Sequence, residues 1–349
     1  MNCCAECFQD QQIQTMISAN GKVGTCDFCG KAEVPICSVE EFSDLSDLIS
    51  DVLSSYEEDV DGEPLFSTII NDWGIFKKDI PSSRALIAAF CSAIYGDDGY
   101  NHDTNVHIPK SYIEEYGIFS GHTWSEFAEV IKTKNRFCNN YFRADQFVSF
   151  LGYSVIKYPK GTVFYRARIC NDVNGYKKEN MGAPPIGKRR AGRVNPEGIS
   201  VLYLTDDEAT ALCEVRASAF DFITVGKFRL LKEIKVVNIS GLNRISPAVY
   251  SSSIESLAAN TKIFGDIARE IAKPLRRNDS PLEYLPTQYI TEFIKSKGYA
   301  GVAYTSTMGT GGTNVAVFDE SLFECESVHN VEIREIKYTY DEITLAKSP

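Results

Sequence analysis

In the first half of the chain, apolar residues recur at spacings of three and four. Phe42, Leu45, Leu48, Ile49, Val52, Leu53 and Tyr56 make one such stripe, the period of an amphipathic helix. Ten acidic residues and no Lys or Arg fall between Glu40 and Glu63. The reverse of the stripe is therefore an acidic face, either solvated or docked on a basic site. Ser83 to Tyr95 opens on serines suited to capping and then runs apolar, which predicts a buried helix. Trp124, Phe127, Val130 and Ile131 repeat the helical spacing in a segment that runs to Phe137, and Phe142, Phe147, Phe150 and Leu151 continue it. Residues 40–152 are expected to form an all-α domain.

Near Lys160 the pattern changes. Thr162–Ile169, Val201–Leu204, Glu233–Ile239, Gly301–Tyr304 and Asn314–Phe318 are short β-branched and aromatic runs that predict strands. Helices are expected at Asp207–Ala217, Ser252–Ala272 and Thr287–Lys297, the last stopped by Gly298. The order is mixed, not a strict β–α alternation. It predicts an α+β fold with a largely antiparallel sheet, occupying residues 153–349.

The first 39 residues follow neither period and carry cysteines instead. Cys4-x2-Cys7 and Cys26-x2-Cys29 are two close pairs, and Gly30 directly follows the second. Two such turns present four thiolates to one tetrahedral ion, so residues 1–39 are expected to be a structural Zn²⁺ module. Cys3 stands beside Cys4 as an alternative ligand. With four cysteines as ligands no position stays open for water, and so few apolar groups would hardly fold without a metal. The remaining cysteines lie mostly in apolar stretches, as small buried hydrophobes. His102, His107 and the aspartates at 97, 98 and 103 form either a polar loop or, less simply, a metal site.

Composition narrows the function. Of 349 residues 44% are hydrophobic and 24% charged, ordinary globular usage, and the net charge is −11. Bulk nucleic acid and anionic membranes are disfavoured partners, being anionic themselves. The N-terminus has no basic region followed by an apolar core, so a cytoplasmic location is expected. No apolar window approaches the roughly 20 residues of a membrane span. Homo-oligomerisation is left open. Within this acidic chain, Gly161 to Gly198 carries eight basic and three acidic residues. A basic loop rich in glycine and proline after a strand suits phosphate groups, which Arg grips bidentately.

Five ordered motifs then carry a resemblance: Phe164-Tyr165-Arg166-Ala167-Arg168; Ala191-Gly192-Arg193-Val194-Asn195-Pro196-Glu197-Gly198; Val201-Leu202-Tyr203-Leu204-Thr205 with Thr210-Ala211-Leu212-Cys213-Glu214-Val215-Arg216; Pro286-Thr287-Gln288-Tyr289; and Gly298-Tyr299-Ala300-Gly301-Val302-Ala303-Tyr304-Thr305-Ser306. Over roughly residues 155–325 the series resembles the RES domain. The helical part before it is similar in layout to the HEPN-related domain of longer RES proteins. No Arg in the chain is followed by His four to six residues on, the pattern of HEPN ribonucleases, and this weighs against ribonuclease activity.

The resemblance implies an ADP-ribosyltransferase-like fold that consumes NAD⁺, and a toxin or defence effector restrained by an antitoxin or other regulatory protein. It places Arg166 at the first-strand arginine, Arg193 at the loop arginine, Tyr203 at the strand tyrosine, Glu214 at the glutamate and Ser306 at the serine. Arg168 shares the strand parity of Arg166 and is an alternative to it. In these roles Arg166 and Arg193 hold the pyrophosphate, and Tyr203 faces the nicotinamide ring. Glu214 stabilises an oxocarbenium-like ribose, and Ser306 orients the ribose or the glutamate. Gln288 is a candidate for the pocket wall. The acceptor is water, phosphate or, in a mono-ADP-ribosyltransferase, a protein side chain. A zinc-containing binding protein without activity is the remaining alternative.

Overall fold

The computed structural model describes residues 1–337 except 79, 97–98, 138, 186, 188–189, 251–252, 275–279 and 309–310. Asp97 and Asp98, Lys188 and Arg189 of the basic stretch, Cys138, Ser252, and Gly309 and Thr310 thus lie outside the described residues. The chain forms two compact units. The first comprises Met1–Ile156, Ala191–Pro196 and Val237–Lys297; the second comprises Lys157–Arg190, Glu197–Val236 and Gly298–Pro349.

In chain order, β1 (Asn2–Cys4), α1 (Gln11–Ala19), β2 (Val23–Gly24) and β3 (Val34–Ser38) come first. The three strands make a small sheet in the order β1-β3-β2. Asp10 caps α1 by accepting hydrogen bonds from the amides of Gln12 and Ile13, which satisfies donors the helix cannot. α2 (Ser43–Ser54) buries Leu45, Ile49, Val52 and Leu53, the stripe read from the sequence. The helix stops there, and residues 57–64 turn into β4 (Glu57–Pro64), a ribbon strand. Residues 57–63 hold five acids, whose like charges repel on a helix, with Asp59, Asp61 and Gly62 poor helix formers and only Val60 apolar. α3 (Leu65–Asp72) and α4 (Ile80–Tyr95) follow, then β5 (Asn105–His107), which pairs with β4. α5 (Lys110–Tyr116), α6 (Trp124–Glu129) and α7 (Ala144–Leu151) complete the helical segment. α6 opens on a Thr123–Glu126 capping box and widens into a π-type turn over Val130–Lys134. Residues 40–152 are thus mainly helical and not all-α, since they also carry the two-stranded β4–β5 ribbon.

After β6 (Val155–Tyr158) come β7 (Val163–Cys170), β8 (Leu202–Thr205), α8 (Glu208–Glu214), β9 (Phe222–Leu230) and β10 (Ile234–Asn238). α9 (Ile254–Ala272) and α10 (Leu285–Ser296) return to the first unit. There α9 is buried along much of its length. An aromatic core forms around it: Phe119 stacks on Phe127 at 4.3 Å, and Phe150 and Phe264 meet edge to face at 4.9 Å. Asn260 on α9 is wholly buried and fully used. Its Oδ1 accepts from the Ile118 amide, and its Nδ2 donates to the carbonyls of Tyr116 and Ser256.

β11 (Gly301–Thr305), β12 (Thr313–Val317) and β13 (Phe323–Glu332) close the chain's regular structure. The large sheet has the order β13-β9-β7-β8-β12-β11-β10-β6. Its β13–β9, β9–β7, β7–β8, β8–β12 and β12–β11 pairs are antiparallel. The α+β class and the largely antiparallel sheet are thus as the sequence implied. Two long strands, β9 and β13, escaped the pattern. On the face of β7 and β9, Ala167, Ile223 and Val225 pack with Ala211 of α8.

Candidate functional site

The second unit places Glu214 at the last turn of α8, where the sheet's centre lies beside it. Asp207 starts that helix by accepting from the Thr210 amide at 2.8 Å. The loop between β11 and β12 presses on this start. A Cβ at Gly312 would lie 2.2 Å from Thr210 Oγ1 and 2.4 Å from Asp207 Oδ2, so only glycine fits. Asp206 ties the same junction down: its backbone donates to the Thr313 carbonyl and its carboxylate accepts from the Thr313 amide. Helix, loop and strand are thereby fixed around the carboxylate.

Ser306 stands one residue beyond β11, and its amide donates to the Gly312 carbonyl at 2.7 Å. Its Oγ lies 2.6 Å from Glu214 Oε1 and accepts from the Met308 amide at 3.1 Å. The hydroxyl has two acceptors for its one proton, Glu214 Oε1 and, at 3.1 Å, the Met308 carbonyl, and the carboxylate is the nearer and the charged one. Asn314 of β12 supplies a second donor, Nδ2, to the same Oε1 at 2.8 Å. Among the described residues, Oε2 has no hydrogen-bond partner. A carboxylate at a helix C-terminus meets the negative end of the helix, and the two donors offset that repulsion.

Register links Tyr203 to this group. Asn314 pairs with Thr205 and Ala316 with Tyr203. Residues two apart on a strand share a face, so Tyr203 and Asn314 lie on the same one as diagonal neighbours. The carbonyl of Tyr203 receives Nη1 of Arg166 at 2.9 Å. Arg166 Nε is enclosed without a hydrogen-bond partner, and burial, with Arg168 nearby, pushes the guanidinium down to about 10. It stays charged at neutral pH. No carboxylate lies within ion-pair distance of it among the described residues. Arg168 is engaged elsewhere: it donates to the Asn180 carbonyl, and its guanidinium sits 4.3 Å above the Tyr176 ring.

Arg193 belongs to the first unit. Its Nε donates to the Lys273 carbonyl at 2.8 Å, its Nη1 is 3.6 Å from Glu270, and it lies 5.3 Å over the Tyr284 ring. Gln288 holds the same loop, donating to the carbonyls of Gly192 and Asn195. These contacts tie both residues to backbone within the first unit.

The four cysteines of the expected metal set converge. The sulfurs of Cys4, Cys7, Cys26 and Cys29 all lie within 4.8 Å of one another. Neighbouring Sγ distances are 3.7 Å for Cys4–Cys7 and 3.5 Å for both Cys4–Cys29 and Cys7–Cys26. A tetrahedron with Zn–S bonds of about 2.3 Å has S–S edges of about 3.8 Å, so the set fits such an ion. Cys4, not Cys3, joins it; Cys3 pairs across β1 and β3 with Cys37, their sulfurs 3.5 Å apart. Gly30 takes a left-handed φ of 73° and its amide returns to the Cys26 carbonyl, which curls the second pair into its turn. Burial pushes the Cys4 thiol up to about 11 and raises that of Cys7 as well, whereas that of Cys26, against its burial, is lowered by the amides of Cys29 and Phe28. The second metal candidate forms no such group among the described residues. His107 sits between Glu57 at 2.9 Å and Asp59 at 3.1 Å, and His102 is 3.3 Å from Asp103.

Among the described residues no helix is long and apolar enough to cross a membrane. No curated protein matches the chain. Among solved structures, it is similar to a chain of the crystal structure of the M. tuberculosis MbcT–MbcA toxin–antitoxin complex. That match has 13% identity and a TM-score of 0.33, and it covers 53% of this chain and 91% of that one. The family model described as RES domain matches residues 164–341, a span that holds Arg166, Tyr203, Glu214, Ser306 and Asn314 and more than half of the sequence. By that match, the chain belongs to the RES domain family.

Proposed function

We propose that the second unit cleaves the bond between nicotinamide and ribose in NAD⁺. The observation that carries this reading is the Glu214 carboxylate at the end of α8, held through one oxygen and, among the described residues, unpaired at the other, while Arg166 on β7 keeps a buried charge without a carboxylate partner among those residues. Arg166 supplies positive charge for the pyrophosphate. Tyr203 offers a flat face for the nicotinamide ring. When the C1′–nitrogen bond breaks, both its electrons leave with nicotinamide, which departs neutral. The ribose carbon is left oxocarbenium-like, and the Glu214 carboxylate stabilises that charge. Water then forms the new C–O bond and gives up one proton, to Glu214 or solvent, leaving ADP-ribose. Phosphate in place of water gives a phosphate ester at the same carbon.

The four-cysteine set would hold Zn²⁺ as a structural ion, with every position filled by sulfur and no part in the reaction. Membership of the RES domain family supports a growth-arresting role in which a protein partner, an antitoxin, restrains NAD⁺ loss.

The test is chromatography of NAD⁺ and its products with the purified chain, with and without phosphate, beside Glu214→Gln. The wild type should release nicotinamide, and the variant about 100-fold less or lower still, with unchanged thermal stability. Free ADP-ribose means hydrolysis, a phosphate-dependent product means phosphorolysis, and ADP-ribose attached to protein means transfer. Absence of nicotinamide release, or equal release by both proteins, overturns the reading.

A further inference from the structure

We propose that Asn314 is a positioning residue: with Ser306 it anchors Oε1 of Glu214, so that Oε2 alone is the working oxygen that meets the ribose. This assignment rests on the NAD⁺ reading above.

Asn314 is 7% exposed and is the second residue of β12, whose next three residues, Val315, Ala316 and Val317, are fully buried. A polar amide in such a place costs stability unless it is paired. Its Nδ2 is paired with a carboxylate oxygen 2.8 Å away, not with backbone. A donor to a charged group makes a stronger bond than a neutral pair. The backbone that carries it is fixed from both sides, since Asn314 is opposite Tyr304 on β11 and Thr205 on β8.

The other donor differs in kind. Ser306 lies outside the strand, and a hydroxyl rotates to suit its surroundings. Of the two, Asn314 has the direction set by the sheet. Both converge on one oxygen, which fixes the carboxylate plane and turns Oε2 away from the anchor. Holding a reacting group in its productive orientation is worth a large share of a rate, and this pair provides such a hold. Asn314 touches neither substrate nor reacting atoms; it acts through Glu214.

The test is Asn314→Leu, which keeps the approximate size of the side chain and removes the donor without adding a charge, assayed for nicotinamide release. Expected is a fall in kcat of roughly 10- to 100-fold, the scale of a small misplacement of a reacting group, with KM for NAD⁺ unchanged and the fold retained. In a Glu214→Gln background the same substitution should lower the residual rate by less than about twofold, because residues acting as a unit are not additive. Compared with the wild type, a crystal structure of Asn314→Leu should show the Glu214 carboxylate swung away from position 314. The assignment is overturned by an unchanged kcat, by a full further loss in the Glu214→Gln background, or by a Glu214 rotamer identical in the two crystal structures. A wild type that releases no nicotinamide overturns the NAD⁺ reading instead, and the paired crystal structures then still decide whether Asn314 holds Glu214.

Discussion

Two enclosed arginines, one in each unit, meet their surroundings differently. Arg193 in the first unit has a carboxylate, a backbone carbonyl and a tyrosine ring around its guanidinium. Arg166 in the second has a single carbonyl and, among the described residues, no carboxylate within ion-pair distance; each guanidinium keeps one buried nitrogen outside any hydrogen bond, Nη1 of Arg193 and Nε of Arg166, so the ion pair is the difference. The same contrast runs through the neighbouring polar groups. Asn260 and Gln288 of the first unit spend their amides on backbone. Glu214 of the second accepts two bonds on one oxygen and none on the other among the described residues. Burying a polar group without a partner costs free energy, so a matched group stabilises a scaffold, and a half-matched one marks where a ligand completes the set. On the proposed reading, the ion pair makes Arg193 a scaffold residue, and the lack of one leaves Arg166 to meet the pyrophosphate.

The largest expected effect lies at the cysteine cluster, the first unit's densest set of polar groups awaiting a partner. The purified protein should carry about one zinc ion per chain by elemental analysis. Cys26→Ser should lose it and open residues 1–39 to proteolysis, because metal binding and folding are coupled in such modules. A fully resistant, zinc-free wild type would break the idea that these thiols need an ion. The arginines come next. Arg193→Ala should lower the melting temperature by roughly 5–10 °C, the cost of breaking a buried pair, and leave KM for NAD⁺ unchanged. Arg166→Ala should do the opposite, raising KM about tenfold or more and leaving the melting temperature within about 2 °C. Equal effects from the two would dissolve the comparison.

Smaller still is Asn260→Ala, expected to cost about 1–3 kcal/mol in denaturant unfolding for removing the side-chain partner of three backbone groups. The mildest case is Asp72. Its burial pushes the carboxyl up to about 6, with the Tyr56 hydroxyl and Lys262 offsetting only part of that. A folded-state value above the unfolded one of about 3.9 means that ionisation costs more in the folded protein. Stability is therefore unpenalised below about pH 4 and falls as pH rises through 6. Asp72→Asn should raise the melting temperature at pH 7 and match the wild type at pH 4.

Much of this arrangement is written locally in the sequence. The cysteine spacing specifies the converged sulfurs, because two tight turns need few other contacts to close. β7, β8, β11 and β12 are dense in β-branched and aromatic residues, and these four strands carry or flank the proposed site. What escaped depends on long-range pairing. β13 is an edge strand of mixed polar residues, Glu324, Glu326, Ser327, His329 and Asn330 among them, and only its pairing with β9 makes it a strand. The ten-acid run of 40–63 reads as one helix until β5, over forty residues on, recruits its second half. The loop bearing Arg193 looks continuous with the basic stretch, yet Gln288 and Thr291 of α10 hold it in the other unit. Asn314 was read only as the first residue of an apolar strand. The signal was there: a lone amide before Val-Ala-Val has to find a partner when the strand is buried, and its partner is 100 residues earlier.

The most direct measurement is calorimetric titration of NAD⁺ into Glu214→Gln, which should bind without turning over, and into the same protein carrying Arg166→Ala. Saturable binding at about one NAD⁺ per chain, weakened at least about tenfold by the second substitution, is the expected result. No binding to Glu214→Gln, or equal binding to the two proteins, would contradict the placement of an NAD⁺ site beside Arg166 and Glu214.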